Sequence, residues 1–306
     1  MKISERLKNA YKSGGISEIV RKLAFHQLYK MNGKKILAAV EKKDFEFGLC
    51  KSNEREFEVV VSLTTYPQRF DHMELCLKSL ISQEVKPDHI IVYLGSDAYN
   101  IELPNSMRQF EKYGIEFRYD PKRNLRSHKK YFYAMQDFPN AVVVTADDDI
   151  IYPSDWLESL LRSYRKFPDA ISARRVHLMR RTEESLLLPY NHWKDQYRKC
   201  LIPSHSLFAT GNAGILYPPD CLDGRVFDDR TFVKLCYEAD DVWLKCMAFL
   251  KNSKVVWVPN NEVDLPEVEN TLQTSLSQVN VGENKNDMYL KNVMEAYDIE
   301  AKDFFQ

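Results

Sequence analysis

The chain has 306 residues, of which 44% are hydrophobic and 28% charged, with a formal net charge of −1. That length supports a full hydrophobic core in one large domain, or in one domain with appendages, and the neutral balance gives no reason to expect a nucleic-acid partner. No apolar run reaches the roughly 18 residues of a membrane-spanning helix, and the N-terminus lacks the apolar stretch of a secretory signal, so a cytoplasmic protein is expected.

Residues 1–56 read as a basic helical arm. Through Lys43, eleven Lys and Arg stand against three Glu, giving +8 and leaving −9 for the rest. Ile16, Ile19, Val20, Leu23, Phe25, Leu28 and Tyr29 recur at helical intervals among these charges. Such a helix suits peripheral contact with the anionic inner face of a cell membrane. It equally suits an arm packed on the main domain with its Lys and Arg solvated.

Residues 57–306 read as an α/β domain. Val59–Leu63 forms a strand that ends in Thr64-Thr65-Tyr66-Pro67-Gln68-Arg69, and Leu75, Leu77, Leu80 and Ile81 mark an amphipathic helix. His89–Leu94 and Ile115–Tyr119 are further strands, Tyr131–Phe138 is a helix, and Ala141–Ala146 is a buried central strand. This βαβ rhythm predicts a mostly parallel sheet with helices on both faces. Neither a Gly-x-Gly-x-x-Gly fingerprint nor a Walker lysine loop is present.

Asp147, Asp148 and Asp149 follow the central strand directly. Three like charges at a strand exit repel one another unless a cation neutralises them, and a hard divalent ion shared with substrate phosphates meets that need. Ligands of open α/β sheets bind at such carboxyl ends. The alternative is an acidic loop in which Ser154 or Asp155 caps the helix Trp156–Phe167, but capping explains one acid and not three. Further on, Gly211 and Gly214 flank Asn212 before a short strand, where backbone either approaches a ligand closely or makes a β-turn. Glu238-Ala239-Asp240-Asp241 opens an apolar helix. Its acids suit the helix dipole, and they also suit an acid/base partner for the first cluster. The six cysteines show no zinc-like spacing and suggest buried thiols in a reducing compartment.

Five segments recur in order: Thr-Thr-Tyr-Pro-x-Arg after a strand, Ser127-His128-Lys129-Lys130-Tyr131, Ala-Asp-Asp-Asp-Ile-x-Tyr-Pro, Gly-x-x-Gly-x-Leu-Tyr-Pro-Pro and Asp-Asp-Val-Trp. Together they resemble bacterial GT-A-fold glycosyltransferases, similar to family 2 enzymes of capsule and lipopolysaccharide assembly. The likeness spans about residues 57–295.

The resemblance implies a metal-dependent hexosyltransferase. Its donor would be a nucleotide-sugar, a UDP-sugar first of all, and its acceptor a glycan or lipid-linked glycan. Mn²⁺ or Mg²⁺ would bridge the diphosphate, with Asp149 as direct ligand and Asp147, beside Asp148, toward the ribose. Thr64, Thr65, Tyr66 and Arg69 would lie against base and ribose, and Lys129 or Lys130 would pair with phosphate unless they simply start a helix. Asp241, or its neighbour Asp240, would be the general base. Many family members carry Glu-Asp where this chain has Glu-Ala-Asp-Asp, so aligning on Glu238 would place Ala239 at the base position. Tyr190 and Trp193 would stack on an acceptor sugar beside Gly211, Asn212 and Gly214, or else serve as core aromatics. A sugar-phosphate nucleotidylyltransferase and a non-catalytic glycan-binding protein of the same fold are the alternatives.

Overall fold

A computed structural model describes residues 31, 33–41, 46–51, 55–260, 264–268 and 285–306. Most of the predicted basic arm, including the Ile16–Tyr29 pattern, lies outside them. Of that arm, residues 33–41 are helical.

The frame is one seven-stranded sheet. β1 (Val59–Thr64) pairs in parallel with β2 (His89–Leu94) on one side and β4 (Val142–Ala146) on the other, and β3 (Ile115–Tyr119) extends the sheet beyond β2. Past β4 come β8 (Ile215–Tyr217), antiparallel to both its neighbours, then β5 (Ile171–Ala173) and β9 (Val255–Trp257). A separate antiparallel pair joins β6 (Val176–Leu178) to β7 (Leu207–Ala209). This mixed, mostly parallel sheet flanked by helices is the GT-A-like α/β architecture implied by the resemblance.

The apolar runs are continuous, and not alternating, because both sheet faces are covered. Val59, Val61 and Leu63 pack with Leu77 and Leu80 of α1 (Glu74–Ile81) and with Trp156 and Leu160 of α3 (Trp156–Lys166). Val60, Ile91 and Val143 face the other way, onto Ala134 of α2 (Lys129–Asp137). A second core gathers Trp243 and Met247 of α5 (Asp240–Leu250), Phe232 of α4 (Asp229–Cys236) and Val293 of α6 (Lys285–Ala296). Among the described residues, Cys76, Cys221, Cys236 and Cys246 are buried, and Cys50 and Cys200 are half-buried.

Strand order reverses at β1. The chain moves outward to β2 and β3, then returns to β4 on the opposite side, which opens a crevice at the carboxyl ends of β1 and β4. Leu63 pairs with Ala146, so Thr64 and Asp147 emerge side by side. A late segment latches the turn after β4: Val268 N–H donates to Asp149 O at 2.7 Å and Ile151 N–H to Pro266 O at 2.9 Å. Ile36, Leu37 and Val40 pack on Ile151 and Val268 from outside.

Three details differ from the sequence reading. α2 begins at Lys129, two residues before the predicted start, and both lysines are buried with polar partners. Asp155 holds the N-cap position of α3 without a capping bond, and Ser154 Oγ donates to Glu84 Oε1 at 2.6 Å, so neither side chain caps the helix. The β6–β7 pair went unpredicted, since three-residue strands are too short to show a period.

Candidate active site

A cleft of about 840 Å³ sits over the β1–β4 crevice. Its walls hold Thr64, Thr65, Tyr66, Arg69, Lys129, Lys130, Asp147, Asp148 and Asp149 together with Tyr190, Trp193, Gly211, Asn212, Asp240 and Asp241. Fold topology therefore brings together every residue singled out from the sequence except Gly214. That glycine has φ +91°, and a Cβ there would stand 2.5 Å from Trp156 Nε1. Its smallness serves packing under α3, away from the cleft wall.

The two acid groups are wired to two cations. Pro67–His72 forms a 3-10 turn after β1 that aims Arg69 at the far side of the triple aspartate. Its Nη1 donates to Asp148 Oδ1 and, at 3.0 Å, to Asp149 Oδ2. The guanidinium also lies 5.4 Å from the Tyr66 ring centre, a cation–π distance. Lys130 Nζ donates to Asp147 Oδ1 at 2.6 Å and stands 3.2 Å from Asp240 Oδ2. Asp241 accepts the Gly211 N–H at 3.2 Å on each oxygen. Side-chain exposure separates the aspartates: Asp147 29%, Asp149 18%, Asp148 7%. Asp148 is thus an anchor for Arg69, while Asp147 and Asp149 open into the cleft.

Electrostatics follow from this wiring. Burial, then the charges of Asp148 and Asp147, push Asp149 up to about 7. Desolvation, then the charge of Asp240, pushes Asp241 up to about 8. Burial alone would raise Asp240 as well, but the Lys130 ammonium outweighs it and holds that carboxyl below its usual range. Burial lowers Lys129, whose Nζ donates to Asn124 Oδ1 at 3.1 Å.

The other candidates divide between cleft and core. Thr64 Oγ1 donates to Tyr93 O at 2.7 Å, tying β1 to β2, and Thr65 is buried at the strand exit. Trp193 is 7% exposed, donates from Nε1 to Leu188 O at 2.7 Å and packs 5.4 Å from Phe208, which fits the core-aromatic alternative. Tyr190, 4.9 Å from Trp193, is half-buried and faces the cleft. Asn212 Oδ1 is buried with no hydrogen-bond partner among the described residues.

Sequence reasoning missed Arg175, His177, Asp195, Asp264 and Glu267, all on the cleft wall. Arg175 follows β5 and donates to Thr210 Oγ1 at 3.2 Å. A basic pair at a strand exit was a readable signal, by the logic applied to the aspartates. Glu267 gave none, because it reaches the site through the irregular latch beside Ile150.

A divalent cation fits this donor set. The cleft wall carries ten acidic and five basic side chains among the described residues, so a diphosphate could not settle there unaided. No three metal-binding side chains among the described residues converge enough to hold an ion alone. One or two carboxylates plus substrate phosphates is the usual Mg²⁺-type arrangement, and Asp149 with Asp147 would supply the protein share.

Comparison with known proteins gives distant structural likenesses and one family match. Among solved structures, the mannosyltransferase PcManGT from Pyrobaculum calidifontis, in complex with GDP-Man and Mn²⁺, is 12% identical, with 92% of this chain and 84% of that one covered and a TM-score of 0.45. A 4-diphosphocytidyl-2C-methyl-D-erythritol synthase (9% identity, 74% and 100% covered, TM-score 0.42) is also similar. So is a CMP:2-keto-3-deoxy-manno-octonic acid synthetase complexed with CTP (9% identity, 74% and 99% covered, TM-score 0.44). Likenesses with TM-scores this low carry no argument. No curated protein matches the chain. The model of glycosyl transferase family 2, however, matches residues 62–218, from within β1 to just past β8 and just over half of the chain. With that span enclosing the triple aspartate and the glycines that follow it, the chain belongs to glycosyl transferase family 2.

Proposed function

We propose that the protein transfers a hexose-type sugar from a nucleotide-sugar, UDP-linked as the first choice, to a hydroxyl of a glycan or lipid-linked glycan of surface-polysaccharide assembly. One observation carries this reading. The acids after β4 and the acids opening α5 meet on one cleft, joined by a single lysine. On this reading the first group would serve the leaving group and the second would accept the proton, as glycosyl transfer to a hydroxyl requires.

Thr64, Thr65, Tyr66 and Arg69 border the part of the cleft nearest β1, where base and ribose would lie. Asp149, with Asp147, would hold Mn²⁺ or Mg²⁺, which when bound would neutralise charge gathering on the departing nucleoside diphosphate. Asp241 is the better base of the acidic pair. Asp240 is engaged by Lys130, whereas among the described residues the donor to Asp241 is the Gly211 backbone N–H, which leaves lone pairs for an acceptor proton. The Gly211 N–H orients its carboxylate. Tyr190 lines the cleft wall, where an acceptor sugar would lie against it.

Release of nucleoside diphosphate from a panel of UDP-, GDP- and dTDP-linked sugars, with Mn²⁺ and with a chelator, tests the proposal. Metal-dependent release with at least one donor is expected. Release of pyrophosphate from a nucleoside triphosphate and a sugar phosphate, with every nucleotide-sugar inert, would overturn it in favour of nucleotidyl transfer.

A further inference from the structure

Resting on the transferase reading above, we infer that Lys130 is a positioning residue clasping the donor-side acid Asp147 to the acceptor-side acid Asp240, and that it makes no phosphate contact. Its Nζ reaches Asp147 Oδ1 at 2.6 Å and Asp240 Oδ2 at 3.2 Å, with the side chain only 7% exposed. Two of the three ammonium N–H groups thus have carboxylates within reach before any phosphate arrives.

Three elements meet at this one residue. Asp147 leaves β4 and Asp240 starts α5, while the Lys130 carbonyl accepts the hydroxyl of Ser62 from β1 at 2.5 Å. Helix stability gives no reason for a lysine here. Lys130 lies in the first turn of α2, where the helix dipole disfavours a cation, so the carboxylates account for it. The backbone of Gly211 closes the third side: a Cβ there would stand 3.2 Å from Lys130 Nζ and 3.4 Å from Asp241 Oδ1. The ammonium therefore sets the distance between the acids that face the donor and the acid pair that faces the acceptor. Asp241, next in the chain after Asp240, is held at a fixed position relative to the leaving group.

The test uses the full chain carrying Lys130→Met, with Lys130→Gln as the second variant should the first fold poorly. Binding of Mn²⁺-pyrophosphate, a base-independent stand-in for the donor diphosphate, is measured by calorimetry. A clasp leaves the dissociation constant within about threefold of wild type, whereas a loss of about tenfold or more marks a phosphate contact and overturns the inference. Thermal unfolding supplies a second arm. Lys130→Met lowers Tm, and adding Asp240→Asn recovers at least about half of the loss, since it removes one of the carboxylates left facing each other. Simple addition of the two losses overturns the clasp.

Turnover with the nucleotide-sugar found by the donor panel gives the third arm. kcat falls by about 100-fold with donor KM within about threefold, and ethylammonium restores Lys130→Ala in part. A raised donor KM with kcat retained overturns the inference. Wild-type protein inert toward every donor would retire the transferase reading alone, and the first two arms would still decide the clasp.

Discussion

Asp149 and Asp241 carry the two halves of the proposed chemistry, and each can be tested by removing one function at a time. Asp149→Ala deletes a charged ligand, and a group contributing about 4 kcal/mol at the transition state is worth about a thousandfold in rate. Loss of Mn²⁺-dependent UDP binding in a folded variant is expected, as read by calorimetry and circular dichroism. Near-normal turnover would remove Asp149 from the metal site. Asp241→Asn preserves shape but cannot take a proton, so kcat should fall roughly 100-fold or more with donor affinity nearly unchanged. The same behaviour in Asp240→Asn but not in Asp241→Asn would move the base by one position. The wiring favours Asp241, since Lys130 already engages its neighbour.

Elements explain why some of these residues could be read early and others not. Continuous apolar runs made β1, β2 and β4 legible, and acids beyond the end of β4 marked a site because an open α/β sheet presents that end to ligands. Lys130 was legible as a basic residue near the site but not as a bridge, because its partner Asp240 comes from a helix 110 positions later. Glu267 was invisible, since the latch that carries it has neither period nor propensity signal. Gly214 was read as either a ligand contact or a turn glycine, and it is not among the residues lining the cleft. With φ +91° and a Cβ position 2.5 Å from Trp156 Nε1, Gly214→Ala combines backbone strain with overpacking. We expect a loss of about 2–5 kcal/mol in urea unfolding, with residual folded protein keeping its metal-dependent nucleotide binding. An unchanged midpoint would show that α3 moves aside at little cost.

At the scale of the molecule, pH and charge should both leave a signature. Asp241 is pushed up to about 8 in the folded chain, from an ordinary carboxyl value near 4 when unfolded. The folded state thus binds the extra proton between those limits, and stability from this group is lost as pH rises from about 4 through about 8. Without added metal, Asp241→Asn should flatten that decline, by up to about 1.4 kcal/mol per pH unit, in unfolding midpoints taken from pH 5 to 8.5. Parallel profiles for both proteins would place the carboxyl in its normal range. The +8 carried through Lys43 makes a different prediction. Deleting residues 1–30 should reduce co-sedimentation with anionic liposomes, the more so at low salt, at about 1 kcal/mol for each basic residue near the surface. Equal pelleting of both forms would leave the arm no role at a membrane. The latch between residues 264–268 and the turn after β4 has a further consequence, in time. β1, β4 and the triple aspartate leave the ribosome well before α5, β9 and the latch exist. A chain halted at residue 218, where the family match ends, would have β5 without its outer partner β9. It would also leave Asp149 O and Ile151 N–H without the backbone partners that Val268 and Pro266 supply. Lys130 would face Asp147 alone, with Asp240 not yet made. The nascent protein therefore gains six of the seven strands of this sheet before the acids opening α5 can join those that follow β4.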